Sequence, residues 1–376
     1  VQKENNQSLR IGARLKAARE RAGLTQLELA ANLGFENRQT LASIEAGERR
    51  LTAEELVAAV RVLGVDLDHF TDAFRLVGEG RFSYRTASGV GPDVLDAFED
   101  RAGRWVALYR ELGAQQGEPH DLVELRLALH SRSTFEEAGA AAESLCSRWH
   151  LGAVPADGLQ LALERHLRAL VLYVDAPPGI SGAASQLPGL NTILVNRNEG
   201  EGRRNYDVVH ETFHLLTWDA MPPERVERTD IARGGKGNRV EQLAESFAAA
   251  FLMPASAMHA RWESRDREAD IHQWLNTTAE AFRVSAVACK WRCHNLGLLS
   301  RADLLDVNDQ RLVANGRTAS DVGLVRPFSA PFVKRVAVAL ETGRLSAKRA
   351  ASLLALPLSG LAALLESYGL QPSFEA

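Results

Sequence analysis

Apolar positions recur at helical spacing from Leu9 to Phe70, broken by AGLT at 22–25, LGFEN at 33–37 and AGERRLT at 46–52. That punctuation predicts five short helices. Thr25 is placed to cap the helix of QLELAANLG, which Gly34 ends, and NRQTLASIEAG forms the next helix, stopping at Gly47. Thr52 and Glu55 head TAEELVAAVRVLG at the spacing of a capping box. Between 75 and 92 the helical period vanishes in RLVGEGRFSYRTASGVGP, which reads as a linker or short hairpin. It returns from Asp93 to His166. The β-branched and aromatic runs RALVLYVD at 168–175 and TILVNRN at 192–198 then predict two strands. Helical spacing resumes in VEQLAESFAAAFLMP at 240–254 and over 329–370, where helix, turn and helix follow one another. The expected fold class is mainly α with a small β-sheet, an α+β arrangement.

Length and composition narrow the class. A chain of 376 residues exceeds one ordinary core and suggests two or three domains. With 45% hydrophobic and 24% charged residues and a mean hydropathy of -0.17, it has the make-up of a soluble globular protein. No apolar run approaches the length of a membrane span, and the opening VQKENNQSLRIG has no signal-peptide core, so a cytoplasmic protein is expected, with no membrane partner. Three cysteines, an odd number in a long chain, fit a reducing compartment. Cys289, Cys293 and His294 could be soft metal ligands, but no fourth partner is apparent and they read as packing residues.

The densest chemistry lies in VVHETFHLL at 208–216. On a helix, His210 and His214 stand about one turn apart, so both imidazoles face one way and can share a metal. A catalytic zinc commonly takes two His and one Glu and keeps one position open. Residues 240–254 supply a second helix with an apolar face, on which Glu241 and Glu245 stand four apart. Glu241 is assigned as third ligand and Glu245 as the group orienting a ligand histidine, with the reverse assignment left open. Glu211 is the candidate catalytic base, taking a proton from the attacking water and returning it to the leaving amine.

RLKAARERAGLTQLELAANLG, IEAGER and LVAAVRVLGV together resemble the helix-turn-helix domain of the Xre/Cro repressor family over some sixty residues. The resemblance implies double-stranded operator DNA as partner and a homodimer as binding unit. By it, Gln26 starts the first helix of the motif, Asn37, Arg38, Gln39 and Thr40 lie near base edges, and Lys16, Arg49 and Arg50 face phosphates. Arg, Asn and Gln are the side chains able to make bidentate bonds to guanine and adenine edges. Residues 1–70 carry ten Lys or Arg against ten Asp or Glu, so long-range attraction to DNA is modest. A helical protein-interaction module is the alternative.

A second resemblance runs over about residues 165–300. SGAASQLPGLNTILVNRNEGEGRRNYDVVHETFHLLTW, EQLAESFAAAFLMP and FRVSAVACKWRCHNLGLLS, in that order, resemble the ImmA/IrrE metallopeptidases. The likeness implies a zincin-like core, zinc or manganese as the metal, and limited proteolysis of a repressor-type or antitoxin-type protein in stress response or mobile-element control. It carries to His210, Glu211, His214 and Glu241; Glu245 stands where the family usually has Asn. The expected division is a DNA-binding domain at 1–72, a linker at 73–92, a peptidase domain at 93–300 and a helical region at 301–376 serving as cap, dimerisation or regulatory unit. The segment 229–238 is expected to form a mobile loop over the cleft. Two functions compete: an enzyme that cleaves a repressor, an antitoxin or itself, and a transcription factor whose metal domain is a sensor or docking platform. Glu211 separates them, because only hydrolysis needs a base.

Overall fold

The computed structural model describes residues 2–78, 80–118, 125–187, 189–228, 239–313 and 325–375. Of the sequence expectations, the loop at 229–238 lies outside them. Five helices open the chain: α1 (Gln2–Arg21), α2 (Gln26–Asn32), α3 (Arg38–Glu45), α4 (Ala53–Leu63) and α5 (Asp68–Thr71). Both expected caps form, with Thr25 and Glu28 closing one capping box and Thr52 and Glu55 the other. Leu15, Leu29, Leu41, Ile44, Ala59 and Phe70 make a core of their own. Gly12 lets α1 approach α3 closely, since a Cβ there would collide with the Ile44 carbonyl. The buried Arg14 guanidinium donates to the backbone carbonyls of His69 and Arg75, tying α1 to the end of this unit.

A five-stranded sheet follows. Its elements in chain order are β1 (Arg81–Thr86), α6 (Pro92–Gln115), α7 (Phe135–Arg148), α8 (Leu159–His166), β2 (Leu170–Val174), β3 (Ile180–Leu187), β4 (Leu190–Asn196), α9 (Glu201–Thr217), β5 (Val226–Arg228) and α10 (Arg239–Leu252). The strand order is β2-β4-β3-β1-β5. β3 runs antiparallel to β4 and β1, whereas β2 is parallel to β4 and β5 parallel to β1. The segment expected as a linker thus supplies an inner strand, and the second domain begins before residue 93. Two further strands, β3 and β5, join the two expected from sequence.

Alternation along the strands sorts side chains onto two faces. Val171, Ala184, Ile193 and Val195 pack with Val208, Val209, Phe213, Phe247 and Phe251 of α9 and α10. Tyr84, Leu172, Val174, Ala183 and Leu194 pack on the other face with α6 and the C-terminal helices. Truncating a ring such as Phe247, wholly buried between Phe213 and Phe251, would cost about 3–5 kcal/mol.

The chain finishes with α11 (Ala255–Glu263), α12 (Ile271–Phe282), α13 (Ala286–Asn295), α14 (Arg301–Asp306), α15 (Ala330–Glu341), α16 (Ala347–Leu354) and α17 (Leu358–Ser367). Cys289 and Cys293 on α13 are fully buried, consistent with packing residues. Phe328 bridges to Tyr173, and Phe332, Val333 and Val336 of α15 enter the core on the side away from α9. The C-terminal helices therefore complete the sheet's second face and do not cap the cleft. Among the described residues no single helix is long and apolar enough to cross a membrane; α16 and α17 meet that composition only as a pair bent by 85°.

Candidate metal centre

Helix α9 is buried without interruption from Asp207 to Thr217, so it is a core helix and its polar residues must find partners inside. Thr212 and Thr217 donate back to the carbonyls of Val208 and Phe213. His210 and His214 turn toward each other, with Nε2 atoms 3.1 Å apart. Helix α10 packs along α9 and delivers Glu241, whose Oε2 is 3.1 Å from His210 Nε2 and whose Oε1 is 3.6 Å from His214 Nε2. Glu227, on the short edge strand β5, is a fourth group that the sequence pattern does not mark. Its Oε2 lies 3.2 Å from His214 Nε2 and 3.7 Å from His210 Nε2, with the side chain 4% exposed against 25% for Glu241.

The four groups can be tested against a metal by their spacing. Tetrahedral ligation at roughly 2.0–2.1 Å sets neighbouring donor atoms about 3.3 Å apart. The separations here, 3.1 to 3.7 Å, bracket that value, and all four donor atoms lie within 4.8 Å of one another. Both Glu227 oxygens are buried without a hydrogen-bond donor, as are Glu241 Oε1 and both oxygens of Glu211. So many buried oxygens without donors are costly unless a cation joins them. The donor set of two imidazoles and carboxylates suits zinc or manganese.

The electrostatics of the cluster point the same way. Burial opposes a charged His214, but the charge of Glu227, with Glu241 and Glu211 behind it, carries its pKa up to about 9. Burial alone would push Glu227 upward; the two imidazolium rings outweigh it and hold its carboxyl far below the ordinary range. Burial lifts the Glu211 carboxyl well above its usual value, opposed by the charges of His210 and His214. A bound dication would pull in the same direction as those rings.

Strand register explains how the neighbours assemble. Arg85 pairs with Glu227 on one side and with Gly182 on the other, and Gly182 pairs with Val195, so one row of side chains faces α9. Gly182 lies against the Glu211 side chain, and a Cβ at 182 would press on the Leu194 carbonyl at 3.1 Å while meeting Glu211 Oε1 at an ordinary 3.7 Å. Behind this row, Arg85 Nε is 3.5 Å from Asp207 Oδ1, and Arg203 Nε is 3.0 Å from Asp207 Oδ2. Glu245 is exposed, and neither histidine Nδ1 has a hydrogen-bond partner among the described residues, so the expected orienting role is not filled by it. Its backbone carbonyl instead accepts from Tyr206 Oη.

In the N-terminal unit, Asn37 caps α3 and accepts from Thr40 N and Oγ1, while Arg38 and Gln39 are exposed in the first turn. Gln26 donates to Glu45, which also holds Arg19 from two sides. Arg49 is clamped by both oxygens of Glu55 and lies over the Phe35 ring, whereas Lys16 and Arg50 are exposed.

Comparison with known families agrees with both units. The helix-turn-helix family matches residues 15–70, and the family described as IrrE N-terminal-like domain matches residues 166–294. The chain couples a helix-turn-helix domain to an IrrE N-terminal-like domain. His210, Glu211, His214, Glu227 and Glu241 all lie within the IrrE-like match, and so does the sheet apart from β1. No curated protein matches the chain. Among solved structures, PlcR of Bacillus thuringiensis, in complex with the peptide PapR7 and DNA, is similar at 11% identity over 96% of this chain and 99% of that one, with a TM-score of 0.17. The apo form of ComR from S. thermophilus is similar at 12% identity over 96% and 97%, also with a TM-score of 0.17. At such scores neither likeness bears on the fold or function of this chain.

Proposed function

We propose that this protein is a DNA-binding regulator whose IrrE-like domain is a metal-dependent endopeptidase. It cleaves a repressor-type or antitoxin-type protein, or a copy of itself, to relieve repression in stress response or mobile-element control. The observation that carries the reading is the convergence of two imidazole Nε2 atoms with the Glu241 carboxylate beside Glu211. His210, His214 and Glu241 would hold the ion. A bound zinc or manganese would act as a Lewis acid and bring the pKa of water toward about 7. Glu211 takes the proton of the attacking water and passes it to the amide nitrogen as the peptide C–N bond breaks. Tethering to operator DNA, as a homodimer on a two-fold site in the cytoplasm, raises the effective concentration of the site near other DNA-bound proteins.

One observation favours a second reading, a metal-dependent sensor without turnover. Glu227 brings the donor groups to four, and a four-ligand zinc site leaves no open position. Metal content by mass spectrometry on wild type, His210→Ala and Glu241→Gln tests the shared premise: near one ion in wild type, lost in both variants. Cleavage of an unfolded casein by wild type that disappears in Glu211→Gln, with the metal retained, supports the peptidase. Equal metal and equal absence of cleavage in both supports the sensor.

A further inference from the structure

We infer that β5 is a built-in plug, with Glu227 filling the position a substrate carbonyl would take at the metal. The natural substrate strand is an extended peptide that displaces β5 from β1. This rests on the metal-binding half of the function proposed above. The two carboxylates are unequally anchored. Glu241 stands in the first turn of a fourteen-residue helix that packs against α7 and α9. Glu227 stands on a three-residue edge strand joined to β1 over Tyr84 to Thr86.

The rest of the anchorage is weak. Val226 is only partly buried against the second face of the sheet. Arg225, which accepts Tyr84 N at its carbonyl, reaches Asp96 and Glu99 on α6 through exposed side chains, and exposed ion pairs contribute little and are screened by salt. Unpairing β5 would do two things at once. It would withdraw the Glu227 carboxylate from the four-group cluster, leaving the two-His, one-Glu set of a catalytic site. It would also free the Tyr84 to Thr86 edge of β1, whose Arg85 neighbours Glu227 in register, for main-chain pairing with another strand. Where Val226 sits beside Phe82 and Tyr84, the incoming peptide would place an apolar side chain. The substrate class that fits is an extended or locally unfolded segment, not a folded surface.

Loading wild type, Glu227→Ala and Glu227→Gln with Mn²⁺ tests this by water-proton relaxation and by affinity, independently of turnover. Wild type is expected to hold one ion with few exchangeable waters. Each variant should still hold one ion, with affinity lowered by at least about tenfold, the scale known for losing even an indirect partner of a ligand, and with clearly higher relaxivity per bound ion. Glu227→Gln keeps the size of the side chain should the alanine variant fail to fold. Unchanged relaxivity and affinity in both variants would overturn the plug, as would complete loss of metal, which would make Glu227 an indispensable ligand. Raised relaxivity without any cleavage of unfolded casein would support the plug while sinking the peptidase.

Discussion

Arg85 and Asp207 form an ion pair, Nε to Oδ1 3.5 Å, in which both side chains are buried, at 8% and 0% exposure. The two ends are not equivalent. Asp207 keeps a second cation, Arg203, at 3.0 Å, whereas among the described residues Asp207 is the one carboxylate in ion-pair contact with Arg85. Removing one partner of a buried pair strands the other charge and costs about 3–5 kcal/mol. Asp207→Asn is therefore expected to destabilise the fold by about that amount, and Arg85→Met by less, because Arg203 still neutralises Asp207. Chemical denaturation of the two variants checks the order. Equal losses, or a larger loss in Arg85→Met, would show that this pairing does not govern the stability of the row.

The pair also marks the limit of what local sequence encodes. HETFH announces itself because two histidines one helical turn apart interrupt an apolar run, and Glu241 follows from a second amphipathic helix. Choosing between Glu241 and Glu245 needs the rotation of α10 about its axis, which only packing against α9 fixes. Strand β1, with Arg81 and Arg85 in six residues, reads as a linker; Arg85 is buried only because Asp207 meets it from a distant helix. Strand β3 lacks the usual β-branched signal because Gly182, Ala183 and Ala184 lie where α9 and the second core press on both faces of the sheet. Glu227 had no local signal at all. VER is too short for alternation to be read, and its carboxylate matters through its register with Arg85.

Glu199 gives the fold a pH dependence away from the metal ligands. Burial, reinforced by the charge of Asp207, pushes its carboxyl from an ordinary 4.5 up to about 7. Between those values the native chain holds a proton that the unfolded chain releases. The stabilisation is fully present below about pH 4.5 and is lost as pH rises through about 7. Because the group is partly exposed, a contribution of about 1–2 kcal/mol is expected after screening. Glu199→Gln should flatten this part of the stability profile and raise the melting temperature at pH 7.5. An unchanged slope between pH 5 and 7 would contradict it.

DNA recognition should fall on the few polar groups of the N-terminal unit that the fold leaves uncommitted. Gln26 is held by Glu45 and Arg49 by Glu55, while Asn37 and Thr40 close the cap of α3. Arg38 and Gln39 are exposed at the start of that helix, the end that meets base edges in this motif. With Lys16 as an exposed cation facing phosphate, the salt dependence of log affinity should be shallow for a repressor. Lys16→Ala should weaken all duplexes alike and reduce that slope by about 1. Arg38→Ala should lose about 1–3 kcal/mol on the selected operator and relax the preference at one base pair, while Gln26→Ala should do little to specificity. Fluorescence anisotropy on a selected operator and a scrambled duplex, over a salt series, reads all three variants. If Gln26→Ala relaxes specificity and Arg38→Ala does not, Gln26 must leave Glu45 on binding, and the free structure does not display the reading surface.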